Sequence, residues 1–462
     1  MKGRPVHLKR AATAGLQPLL IFLFSFLVLS PALTAPSAAE KLCGKRSVQE
    51  QEREKDKPNN DGQKQGGPVQ RTASALLSDH PTRLFGQPAT VNVLPIVYYD
   101  FRTGLNVGMR TVVHSRQATP YLYKLRIQVL PSSKGSHKHK LLFDYPQIGS
   151  SGFGLRLVAA WYRDLRAHYY GLGNDSRRDR ALVDKESDEF VHEDYYLYNF
   201  LRPRVAIYSV RRVVSEVLFW FGMGIEKARP QFKSGRVTSY LGQDRPFGVL
   251  GGTGRFFSFR LTWDTRNDDL FPHRGFLTEV SVEPNFATVD AEVEGPEGVA
   301  RVTREVAFQR FTFSDARFLR LKSDRLILAN RIAFEAVTGD APYYAFGEIV
   351  GQRLTRAVGG SQSLRGFKSR RFQDKIKLIT LTELRFNAHR LRVLSNSFDL
   401  ILVAFMDTGR VWHGFSELSA RGLHATFGFG TWLNWNQNMI LRLDVGHSAE
   451  GWTPYFRLSS AF

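Results

Sequence analysis

From residue 91 onward, apolar and polar side chains alternate in runs of about ten, separated by Gly, Asn, Asp and Pro. In 257–264, Phe257, Phe259, Leu261 and Trp263 share one side of an extended chain, and Ser258, Arg260, Thr262 and Asp264 share the other. In 153–162, Phe153, Leu155, Leu157 and Trp161 alternate with Gly154, Arg156 and Tyr162. In 441–446, Leu441, Leu443 and Val445 alternate with Arg442, Asp444 and Gly446. A period of two marks strands whose faces meet unlike surroundings. The pattern predicts sixteen strands. Eleven fall at 91–100, 104–114, 120–130, 137–146, 151–163, 194–209, 214–226, 255–265, 274–286, 304–322 and 324–337. Five more fall at 375–387, 398–412, 421–433, 438–447 and 452–462. Long connections at 164–193, 227–254, 287–303 and 338–374 follow every second strand.

A soluble antiparallel sheet also alternates. Here large apolar side chains stand opposite bare arginine, and no helical pattern is present to cover the apolar side. Charges interrupt every apolar run after residue 40, so none of them reads as a spanning helix. Lipid offers no hydrogen-bond partner to an open sheet edge, so such a chain crosses a membrane as a closed barrel. The expected fold is all-β, a 16-stranded antiparallel transmembrane β-barrel over residues 91–462.

The N-terminal end carries a different pattern. Lys2, Arg4, Lys9 and Arg10 precede an apolar stretch at 19–29, and Ser37-Ala38-Ala39 supplies small residues before Glu40. This is the layout of a cleaved signal peptide over 1–39. The apolar stretch is short of the ~20 residues a spanning helix needs. Residues 40–90 are polar, of mixed charge and poor in apolar residues, which predicts a disordered periplasmic segment. The single cysteine, Cys43, excludes an internal disulfide framework.

The net charge of +21 would suit a nucleic-acid binder, but no recognition motif accompanies it, and no nucleic acid is expected. Arginines inside a barrel and lysines facing anionic lipid account for the same charge. No GxSxG, HExxH or P-loop is present. His137 and His139 share a strand face without an acidic third ligand. Ser187, Glu186, Asp188, Glu189 and His192 crowd one predicted loop, where no scaffold fixes catalytic geometry. No enzyme, metal site or cofactor is expected.

Four segments carry a resemblance. Residues 359–367 read GGSQSLRGF, with Gly359, Gly360, Ser361, Leu364, Arg365, Gly366 and Phe367. Residues 263–276 read WDTRNDDLFPHRGF, where Asp264, Arg266, Asn267, Asp268, Pro272, Gly275 and Phe276 form a strand, a turn and a return strand. Residues 382–386 read TELRF, followed by FMDTG at 405–409, and residues 169–175 read YYGLGND. Together, and in their order along the chain, they resemble the BamA/TamA outer-membrane assembly factors, also called bacterial surface antigens. The resemblance implies that connection 338–374 folds inward, so that Arg365 enters the barrel and pairs with Glu383 and Asp407. Alternation independently puts Glu383 and Arg385 opposite Thr382, Leu384 and Phe386. The C-terminal residues Phe456, Leu458 and Phe462 are similar to the signal that assembly machinery reads on new barrels.

The implied location is the outer membrane of a diderm bacterium, reached by export. The implied surroundings are outer-membrane lipids and lipopolysaccharide, with the barrel assembly machinery inserting the chain itself. Segment 40–90 is shorter than one periplasmic POTRA module, so a barrel-only member is expected. The implied activity is insertion or translocation of proteins, with clients unnamed. The alternative is a passive pore or structural surface antigen with no assembly role.

Overall fold

The computed structural model describes residues 80–458, except 85, 101–102, 116–120, 235–236, 296–297, 324, 352–353, 394–395 and 436–438. The signal peptide expected over 1–39, most of the polar segment 40–90, and Phe462 of the C-terminal signal lie outside the described residues.

One antiparallel sheet of seventeen strands dominates the described residues. Its first eight strands are β1 (His80–Leu84), β2 (Gln87–Asp100), β3 (Gly104–Ser115), β4 (Lys124–Val129), β5 (His137–Tyr145), β6 (Phe153–His168), β7 (Leu197–Val214) and β8 (Val217–Gln231). Next come β9 (Gly252–Asp264), β10 (Gly275–Gly295), β11 (Gly298–Arg320) and β12 (Leu326–Gly339). The last five are β13 (Ile376–Val393), β14 (Asn396–Trp412), β15 (His424–Trp435), β16 (Met439–Ser448) and β17 (Gly451–Leu458). Each strand pairs with its neighbours in sequence, so the sheet is one long meander. The α-helix among the described residues is a five-residue turn, Tyr240–Asp244.

The period of two becomes two opposed surfaces. Phe257, Phe259, Leu261 and Trp263 are exposed, while Ser258, Arg260 and Thr262 between them are buried. The exposed set continues through Val107 and Met109 on β3, Val205 and Ile207 on β7, and Phe427 and Phe429 on β15. Water does not tolerate a continuous apolar surface of this extent, and lipid favours it.

The two ends of the strands differ. Connections after even-numbered strands include 169–196, 232–251, 340–375 and 413–423, and the turns at the other end are short. Connection 287–303, expected as a loop, is instead ladder. β10 and β11 stay paired from Gly275↔Phe318 to Gly295↔Gly298. At about 3.4 Å per residue these strands are far longer than the roughly ten residues a bilayer requires. β9 stops pairing with the ribbon at Val289 and β12 at Phe308; beyond them it is held by its own ladder, by Asp290 N–H donating to Gly251 O (3.0 Å) and by the ion pair of Glu292 with Arg245.

Two further expectations are corrected. Residues 80–90, expected within the disordered segment, form β1 and the start of β2. The ladder therefore has seventeen strands rather than sixteen, and no pairing joins β17 to β2 among the described residues. The terminal strands are still neighbours, since the rings of Tyr98 and Phe456 stack at 5.9 Å. Part of the reason is β1, which folds back along the edge of β2 that β3 leaves open, from His80↔Val91 to Leu84↔Gln87. It occupies backbone groups that closure would use.

Candidate functional site: a charged latch on the inner face

Segment 340–375 leaves β12 and packs on the buried face of the sheet. Its apolar side chains Ile349, Val358, Leu364, Phe367 and Phe372 meet Ala329, Ala333, Ile379 and Val411. Small residues on the strands leave the room for it. The stretch GGSQSLRGF turns tightly because Gly359 N–H donates to Ser363 Oγ (2.9 Å), and that hydroxyl donates to Arg356 O (3.2 Å). Gly366 has φ +117°, a conformation that a side chain would strain.

This turn presents Arg365 to three strands. Its Nε donates to Asp407 Oδ2 (2.8 Å) and its Nη2 to Asp407 Oδ1 (2.6 Å), a bidentate fork. The Arg365 backbone N–H donates to the same carboxylate at 3.1 Å. Nη1 donates to Glu383 Oε1 at 2.6 Å. The guanidinium lies 3.6 Å from the centre of the Phe405 ring. The structure thus brings together Arg365, Glu383 and Asp407, and all three are fully buried.

The cluster is larger than the motifs indicate. Arg385 Nε and Nη2 donate to Glu383 Oε2 at 2.9 and 2.7 Å. Arg442 Nη2 donates to Asp444 Oδ2 (2.6 Å), and Trp432 Nε1 donates to Asp444 Oδ1 (2.7 Å). Arg442 also lies over the Trp432 ring at 4.0 Å. Three guanidiniums face three carboxylates, so the buried charge balances. Balance matters because an uncompensated charge in a dry interior costs several kcal/mol, roughly 3–5 when one partner is removed. Arg442 and Asp444 were legible by alternation, opposite Leu441, Leu443 and Val445. Trp432 left no such signal, because a strand tryptophan reads equally well as a lipid-facing residue.

The loop is also tied to the last two strands. Gly366 N–H donates to Tyr455 Oη (3.1 Å), and that hydroxyl donates to Phe367 O (2.6 Å). Ser448 and Thr453 hydroxyls both donate to Gly366 O, at 3.0 and 2.9 Å, and Arg457 Nη1 donates to Ser361 O at 2.9 Å. We expect Tyr455→Phe to weaken this seat by about 1–2 kcal/mol, the worth of a partly buried hydrogen bond. Faster hydrogen exchange at the Gly366 amide, with the charged cluster intact, is the check.

Farther along the segment, Glu348 pairs with Arg202 on β7 and with Arg370 Nη2 at 2.6 Å. Lys377 Nζ meets Glu335 Oε1 at 2.8 Å, and Glu335 Oε2 accepts the Val350 N–H at 2.7 Å. The stretch YYGLGND reaches the same segment. Gly173 N–H donates to Gln373 O (2.8 Å), and Arg371 Nη2 donates to Ser176 O (2.8 Å).

The turn WDTRNDDLFPHRGF closes the opposite end. Arg266 Nε and Nη2 bind both oxygens of Asp264, at 2.8 and 2.7 Å. Asn267 Oδ1 accepts the His273 and Arg274 N–H groups at 3.0 Å each, and Asp268 Oδ1 accepts those of Leu270 (2.8 Å) and Phe271 (2.5 Å). Pro272 follows, Gly275 opens β10, and Phe276 packs edge-on against Trp263 at 4.9 Å. The turn drives buried Phe271 under the cluster, 5.5 Å from Arg385 and 6.4 Å from the Trp432 ring. Phe456 of the C-terminal signal stacks on Tyr98, and Leu458 pairs in backbone with Leu441.

A sheet with a lipid-type apolar exterior, a charged inner face and a returning loop pinned across it defines an outer-membrane β-sheet protein. The chain belongs to the Omp85 superfamily, whose domain model matches residues 101–448. Among solved structures it is similar to BamA from Haemophilus ducreyi lacking POTRA domains 1-3, at 12% identity and a TM-score of 0.49, covering 84% of this chain and 77% of that one. It is also similar to CdiB from Acinetobacter baumannii, at 10% identity and a TM-score of 0.43, covering 82% of this chain and 64% of that one. No curated protein matches the chain in sequence. The superfamily's general role is insertion or translocation of proteins at the outer membrane.

Proposed function

We propose that this chain is an outer-membrane β-barrel that takes part in inserting or translocating proteins. In this reading β2 to β17 close the barrel, residues 1–39 are a cleaved export signal, and the short turns face the periplasm. The barrel sits among outer-membrane lipids and lipopolysaccharide, and the assembly machinery inserts it. The observation that carries the reading is where the loop is tied. Residues 361–367 bind β16 and β17, next to the outer edge of β17, which has no partner strand among the described residues. An open strand edge is a template for another strand. A loop that braces the last two strands sets the position of that edge.

A passive pore is less well supported, because buried side chains of segment 340–375 occupy the inner face. The two readings separate by depletion of the protein followed by an inventory of the outer membrane. Loss of several other barrels supports the assembly role, and an unchanged inventory refutes it. In planar bilayers the expected record is small and unsteady; a stable, wide, ungated channel would favour the pore.

A further inference from the structure

The edge of β2 opposite β3 falls into two parts. β1 pairs with the first part, from His80↔Val91 to Leu84↔Gln87. The rest of that edge, 92–100, has no partner strand among the described residues, although the same residues pair with β3 on their other side. Val97 and Tyr99 there are exposed and Ile96 is buried, so the strand keeps its two faces without a neighbour on this edge. The β1 ladder is weak. It is five residues long, and two of its pairs contain a proline, Pro81↔Thr90 and Arg83↔Pro88. Proline has no N–H to donate, and a short two-stranded hairpin is marginal in water. Pro81, Thr82 and Arg83 are exposed. The other side of the seam is pinned. Loop 361–367 holds β17 through Thr453, Tyr455 and Arg457. Glu450, in the turn that leads into β17, pairs with Arg371, and its backbone carbonyl accepts from Arg180 Nη2. Phe456 of β17 stacks on Tyr98, within the uncovered part of β2.

We infer that β1 is a built-in stand-in strand that caps the β2 edge, and that a strand entering the seam displaces it while β17 stays in place. The inference rests on the proposed assembly role and adds to it which side of the seam moves. The unpaired stretch 92–100 gives an incoming strand a place to start. Apolar side chains on its outer face would lie beside Val97 and Tyr99. From there each further pair gained toward the turn replaces one β1 pair, so no step leaves the edge bare. The exchange begins at His80↔Val91, next to the free stretch. It ends at Leu84↔Gln87, where Gly86, with φ +73°, turns the chain. A five-residue ladder with a proline in each strand is the weaker competitor against a strand that also holds 92–100. Displaced β1 stays tethered through its turn and pairs again when the edge is vacated.

The test locks β1 onto β2 with a disulfide. Arg83→Cys/Pro88→Cys puts two thiols at exposed, directly opposed positions, within reach of one another. Cys43→Ser removes the native thiol from every sample. The full chain is held in phosphatidylcholine nanodiscs, and retained heat-modifiable gel mobility shows that each variant folds. The probe is a fluorescein-labelled peptide of residues 451–462, GWTPYFRLSSAF, read by anisotropy against a scrambled peptide of the same composition. The expected result is saturable binding to the reduced protein, about tenfold weaker binding to the oxidised protein, and recovery on adding reductant. Thr82→Pro, which weakens β1 further, should bind the peptide about threefold tighter than Cys43→Ser alone. Equal binding by oxidised and reduced protein overturns the inference, as does the absence of specific binding to either. A disulfide that fails to form in the folded protein also overturns it, because β1 then does not lie on β2. Failure of the assembly role reads differently, as an unchanged outer-membrane inventory after depletion, whatever the disulfide does to the peptide.

Discussion

Arg365→Ala is expected to release residues 355–374 from the inner face and lower the barrel's resistance to heat. The substitution removes both side-chain bonds to Asp407 and the bond to Glu383. It leaves three buried carboxylates against two guanidiniums, and removing one partner of such a group costs roughly 3–5 kcal/mol. Heat-modifiable gel mobility gives the stability, and limited proteolysis of 355–374 gives the state of the loop. A wild-type midpoint together with wild-type protease resistance would sink the proposal. Arg365→Lys should fall between the two, since it keeps the charge and loses the bidentate fork.

Gly446→Val should have an effect of similar size without touching a charge. A Cβ at Gly446 would lie 2.6 Å from both the carbonyl carbon and oxygen of Arg365 and 2.8 Å from Gly366 N. These are backbone atoms and cannot rotate away, so the loop must lift from β16. The lift separates Arg365 from its carboxylates even though every ionic group is present. Combining Gly446→Val with Arg365→Ala should cost much less than the sum of the two, because both act by unseating one loop. A freely tolerated valine would show that the turn does not rest on β16 in solution.

Legibility differed from strand to strand for a physical reason. β9 was plain in the sequence because its outer residues are large and apolar and its inner ones are Ser258, Arg260 and Thr262. β14 hid its alternation. Ile401, Val403, Phe405, Asp407 and Val411 all face inward, and Leu402 and Met406 face outward. Both faces are apolar there, because the inner one is covered by protein. The facing of Asp407 was therefore available only through the motif resemblance, whereas Glu383 and Arg385 could be read directly. The β10–β11 ribbon was missed because 287–303 is rich in Asp, Glu, Gly and Pro, the composition of a loop.

Taken alone, the sequence determined the period of two, the turns that punctuate it and the identity of the side chains on each face. Those are local properties, set by strand geometry and by the contrast between apolar and charged residues. Only the tertiary structure decided which inward charges meet. Arg365 lies 42 residues from Asp407 and 89 residues separate Gly366 from Tyr455, so nothing local links them. Balance among Arg365, Arg385, Arg442, Glu383, Asp407 and Asp444 is a property of strand register. Register depends on the whole meander, and buried charges become affordable only when it places each one beside its opposite.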